Sequence, residues 1–130
     1  FSFYKEHLIS LTKKGKEGLE EINQMMIDLR DNPMETINGQ RVVCIEDYQN
    51  TTARDLINNE TFDLDIPKSN VLIYYLEDGT KICARPSGTE PKIKFYFSVN
   101  AILEDKNDFE EASNFLDTKI QNIITEMKLN

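Results

Sequence analysis

The chain has 130 residues, 39% apolar and 29% charged, and its 23 acidic side chains outnumber 15 basic ones to give a formal net charge of −8. That length fits one globular domain that buries roughly two-thirds of its unfolded surface. The acidic balance argues against nucleic acid as the main partner, which needs a broad basic face, and no apolar run nears the ~18 residues of a membrane span. Two cysteines, Cys44 and Cys83, make a poor disulfide framework and read as free thiols of a cytoplasmic protein. No signal peptide is visible where Lys5, Glu6 and His7 interrupt the start, and Phe1 in place of Met suggests a piece of something longer.

Taken in order, residues 1–31 read as helical. Tyr4, Leu8 and Leu11 form one short stripe, and Leu19, Ile22, Met26 and Leu29 a second on one helix face. Gly15 and Gly18 weaken the join, so either one loosened helix or a break near Lys13–Gly18 is expected. Residues 1–12 are then a helical lead-in belonging to an interdomain linker, and 13–130 the domain proper. Lys13, Lys14 and Lys16 read as a solvated face. Pro33 closes the helix, Asn38-Gly39 marks a tight turn, and Arg41–Tyr48 follows as a strand.

The stretch Gln49–Ile66 is polar, yet Leu56, Ile57, Phe62, Leu64 and Ile66 punctuate it; a short hairpin and an irregular loop over the sheet both fit. Arg54 within it is expected at the surface. Val71–Leu76 and Lys81–Ala84 form a hairpin through Asp78-Gly79. Beyond Pro91 comes the clearest alternation, with Ile93, Phe95, Phe97 and Val99 on one side and Lys92, Lys94, Tyr96 and Ser98 on the other. Residues 108–129 read as a helix capped by Asn107 or Asp108, with an apolar stripe through Leu116, Ile120 and Ile123 reinforced by Phe115 and Ile124. The expected class is α+β: about four mainly antiparallel strands with helices on one face.

Between the last two strands lies Arg85-Pro86-Ser87-Gly88-Thr89-Glu90-Pro91. Two prolines stiffen its rims, and Gly88 permits φ > 0 with an uncovered amide. One guanidinium, two hydroxyls and free amides suit a phosphate group. Residues 81–94 carry Lys81, Arg85, Lys92 and Lys94 against Glu90 alone, a positive spot on an acidic chain. An ordinary β-turn uses the same residue types; the charge favours an anion. Nothing else assembles into a catalytic set. His7 is the only histidine and sits in a charged amphipathic segment, Asp63 and Asp65 alternate like a strand edge, and Glu90 beside cations reads as ionised and structural.

The run Arg85 to Tyr96, Arg-Pro-Ser-Gly-Thr-Glu-Pro-Lys-Ile-Lys-Phe-Tyr, resembles the phosphate-binding loop of the α-D-phosphohexomutase family, the phosphoglucomutases and phosphomannomutases. The resemblance implies the fourth, C-terminal domain of such an enzyme, over most of residues 13–130. It implies substrate-phosphate contacts from Arg85, Ser87, Gly88 and Thr89, with Lys94 a weaker candidate. It further implies a phosphoserine, a Mg²⁺ site and a sugar-reading motif on three other domains of the same chain. None of those motifs occurs here, so this chain is expected to bind no cofactor and to catalyse nothing alone. The implied reaction interconverts hexose 1- and 6-phosphates through a bisphosphorylated sugar, with glucose favoured over mannose. A freestanding module that binds phosphorylated ligands without chemistry is the alternative, and a domain whose basic patch docks an acidic partner is a third.

Overall fold

The computed structural model describes residues 2–130. In chain order they form β1 (Ser2–Thr12), α1 (Gly15–Asp31), β2 (Thr36–Ile37), β3 (Gln40–Asp47), β4 (Thr52–Asp55), β5 (Glu60–Asp63), β6 (Leu72–Leu76), β7 (Lys81–Pro86), β8 (Lys92–Ile102) and α2 (Phe109–Glu126). The strands join one sheet in the order β1-β8-β7-β6-β3-β4-β5, with β2 beside β3. Every pairing is antiparallel. The α+β class is as expected, but the sheet has eight strands rather than about four.

The alternation along β8 sets the layers. Ile93, Phe95, Phe97 and Val99 are at most 1% exposed. They share a core with Ile22 and Met26 of α1 and with Leu116, Ile120, Ile123 and Ile124 of α2. Ile82 and Ala84 of β7 and Leu72 and Tyr74 of β6 complete that layer. Both helices therefore cover one face, and the other face carries none.

The N-terminal segment departs from its sequence reading. Ser2–Thr12 is not a helix but a strand, paired residue by residue with β8 from Ser2 opposite Ile102 to Thr12 opposite Lys92. Tyr4 and Leu8 of the supposed helical stripe are 65% and 50% exposed. The side chains that pack against the core are Phe3, Ile9 and Leu11, at the period of two that a strand requires. A full ladder of backbone hydrogen bonds to a long partner outweighs three apolar residues at helical spacing. Of the two forms open at this join the break is found: Gly15 turns the chain at φ +64°, and α1 begins there. A Cβ on Gly18 would lie 2.7 Å from Cβ of Lys13, so only glycine lets the turn fold this closely onto the helix.

Of the two forms open to Gln49–Ile66, the hairpin is found, as β4 and β5. The Asp55 carboxylate closes its turn by accepting from the amides of Ile57 (2.9 Å) and Asn58 (3.1 Å). Arg54 is half-buried rather than exposed, because its guanidinium donates to the carbonyl of Arg30 (3.2 Å) near the end of α1. Nearby, Arg30 Nε donates to both Asp47 oxygens at 3.1 Å, which clips α1 to the end of β3. In α2, Asp108 stands at the N-cap position but its side chain makes no capping bond. Phe115 lies off the apolar stripe, 60% exposed, with the Lys119 ammonium 5.9 Å from its ring.

Candidate functional site

Arg85 and Pro86 belong to strand β7, opposite Lys94 and Ile93, so the connecting loop is only Ser87–Pro91. Three backbone bonds pin it. The Ser87 amide donates to the Lys92 carbonyl (2.9 Å), the Lys92 amide to the Glu90 carbonyl (2.7 Å), and the Lys13 amide to the Pro91 carbonyl (2.8 Å). Gly88 has φ +90°, a conformation that L side chains rarely adopt, with open space where a Cβ would stand. Among the described residues, the amides of Gly88, Thr89 and Glu90 meet no acceptor, whereas the Ser87 amide is committed to the loop itself.

A cavity of about 390 Å³ opens at this loop, lined by Ser10, Arg85, Pro86, Ser87, Lys92, Lys94 and Tyr96. Register explains the assembly. Ser10 pairs with Lys94 across β1 and β8, and Lys94 with Arg85 across β8 and β7. Directly opposed residues of an antiparallel pair point to the same face. All three thus stand in one row on the helix-free side. Lys92 forms an exposed ion pair with Glu90 at 3.2 Å. Arg85 and Lys94 have no carboxylate partner among the described residues. A planar guanidinium fork, an ammonium and two hydroxyls around one hollow match the oxygens of a dianion.

Of the residues singled out from sequence, Arg85, Ser87 and Lys94 share this cavity, while Gly88 and Thr89 stand at the exposed loop tip outside its lining. Ser10 and Tyr96 were not singled out as ligand contacts. The alternation already turned Tyr96 toward this side, but no local signal could bring in Ser10, which arrives only through the β1–β8 register. His7 is an exposed residue of β1 with its ring 6.5 Å from Phe97. Asp63 lies on the edge strand β5. Burial pushes the Cys83 thiol up, against the pull of Lys81 and Arg85, which disfavours the reactive thiolate. Among the described residues no three His, Cys, Asp or Glu side chains come together as a metal site, and no helix is long and apolar enough to cross a membrane.

Known proteins supply a context for this geometry. The chain is 38% identical over 122 residues to a phosphoglucomutase of Staphylococcus saprophyticus, a match covering 94% of this chain and 21% of that protein. A phosphoglucomutase of Staphylococcus aureus is 42% identical over 96 residues, 74% of this chain and 17% of its own length. The chain spans about a fifth of the length of the relatives it matches. No protein-family model matches it. Among solved structures, the open form of parafusin, a phosphoglucomutase from Paramecium, aligns over 98% of this chain and 21% of its own at 10% identity. Its TM-score of 0.39 is too low to bear on the fold.

Proposed function

We propose that this chain, a phosphohexomutase domain by its sequence kinship with the phosphoglucomutases, grips the phosphate of a hexose phosphate within a longer enzyme. The observation that carries this reading is the cavity where Arg85, Lys94 and Ser87 converge, with Arg85 and Lys94, two of its three cations, free of carboxylate partners among the described residues. Arg85 donates from its fork to two phosphate oxygens, Lys94 offsets the second charge, and the hydroxyls of Ser87 and Ser10 donate to what remains. Gly88 and Thr89 close over the ligand from the loop tip with their unbonded amides.

Such a grip recognises the phosphate and not the carbon that carries it. It therefore serves a hexose 1-phosphate and a hexose 6-phosphate equally, which interconversion of the two requires. Positioning and charge neutralisation are what the loop contributes. The phosphoserine, Mg²⁺ and sugar-reading groups belong to other domains of a cytoplasmic enzyme, with glucose the favoured sugar. Among the described residues no three His, Cys, Asp or Glu side chains come together as a metal site. The two bonds from Arg85 and one from Lys94 alone, at roughly 1.5–3 kcal/mol each and set against an association cost of at least about 4 kcal/mol, put binding by the isolated chain near the millimolar range.

The test is a mutase assay on the complete enzyme and on this chain alone. The complete enzyme should interconvert glucose 1- and 6-phosphates, and Arg85→Ala should lower kcat/KM by about 10- to 100-fold, the loss of one charge-assisted contact. Turnover by the 130-residue chain, or an Arg85→Ala enzyme of full efficiency, would contradict the proposal.

A further inference from the structure

The helix-free face holds a second, larger hollow of about 850 Å³ that shares Arg85 and Tyr96 with the cavity at the loop. Strand register orders residues of the two hollows into rows, the first from the smaller cavity and the other two from the larger. The first row is Ser10, Lys94 and Arg85. The second is Leu8, Tyr96, Cys83 and Ile73, and the third Glu6, Ser98 and Lys81. Successive rows are two residues apart, about 7 Å at the rise of a strand. Their chemistry changes from cationic, to apolar, to polar.

The rows match a phosphorylated sugar in length and in order. Resting on the phosphate reading above, we propose that this trough seats the uncharged ring of the ester whose phosphate occupies the first row. The C–H face of a pyranose packs on Tyr96 and Leu8, and its far hydroxyls meet Glu6, Ser98 and Lys81. The two apolar side chains are available: Tyr96 is 39% and Leu8 50% exposed. The polar ends are available too. Among the described residues the Glu6 carboxylate and the Ser98 hydroxyl make no hydrogen bond, and Lys81 has no acidic partner, its ammonium resting 5.8 Å from the Tyr75 ring. A mostly apolar seat with a few convergent polar groups is the usual form of a small-molecule site. Tyr96, Ser98 and Glu6 thereby become specificity-determining residues on a domain whose loop alone reads only phosphate.

The experiment follows backbone amide resonances of this chain during titration with inorganic phosphate, methyl phosphate and glucose 6-phosphate. All three should shift Arg85, Ser87 and Lys94. Only the glucose ester should also shift Leu8, Tyr96, Ser98 and Lys81, and it should bind about threefold or more tighter than methyl phosphate, the gain of one or two exposed hydrogen bonds. In the double variant Glu6→Gln, Ser98→Ala that advantage should vanish. If the glucose ester shifts the loop and nothing along the second and third rows, the seat is refuted while the phosphate grip stands. If no ligand shifts the loop, the grip itself is refuted, and the seat with it.

Discussion

Arg30 and Arg85 stand in two different electrostatic settings. Arg30 faces the nearly buried Asp47, whose carboxylate also accepts from Asn50 Nδ2 at 2.6 Å and from the amide of Gln49 at 3.0 Å. Lys119 is likewise held by the Asp78 carboxylate. These cations hold the fold, whereas Arg85 and Lys94 meet no acid among the described residues. Burial works against the charge on Asp47, yet the bonds from Asn50 and Arg30 outweigh it and keep its carboxyl below the ordinary range. A pKa lower in the folded than in the unfolded chain means stability that is complete above the unfolded value of about 3.9 and drains as pH falls toward the folded one. Asp47→Asn should therefore cost roughly 3 kcal/mol at neutral pH, since it leaves Arg30 partly buried and unpaired. Urea denaturation between about pH 6 and pH 2 should show a shallower acid decline in the variant than in the parent. An equal decline would place the acid-sensitive group elsewhere.

Elements were legible in the sequence in proportion to how local their cause is. The β8 alternation and the loop before it are set by neighbouring residues, and both could be read directly. So could α1 from Leu19 onward and the stripe of α2. By contrast, β1 carries apolar residues on both faces, Tyr4 and Leu8 outward with Phe3, Ile9 and Leu11 inward, so a helical spacing can be picked out of it. Only its pairing with β8, some ninety residues away, decides the matter. The β4–β5 hairpin was obscure for another reason. All four residues of β5 are exposed, so it has no buried face to leave a period in the sequence. Mistaking β1 also hid Ser10 from the site. The turn between β1 and α1 gives a test of this join. Gly18→Ala forces a Cβ to within 2.8 Å of the Lys13 carbonyl carbon as well as its Cβ, and should destabilise the chain by about 1–3 kcal/mol through overpacking. Alanine is otherwise the better helix former, so an unchanged or raised urea midpoint would show that the turn relaxes freely.

The molecule as a whole is an acidic body with one cationic row on the face that its helices leave open. The net charge of −8 repels a phosphate ester at long range, so attraction must come from the row at short range, where Arg85 and Lys94 dominate. The sheet supplies the rigidity. Ser10, Lys94 and Arg85 come from three adjacent strands, and their spacing is fixed by ladder hydrogen bonds before any ligand arrives. The central claim is that this row holds phosphate, and calorimetric titration of the chain with inorganic phosphate at low salt tests it most directly. Saturable binding near the millimolar range, weakened by added salt and abolished in Arg85→Ala without loss of circular dichroism, is the predicted result. Binding that survives Arg85→Ala unchanged would contradict it.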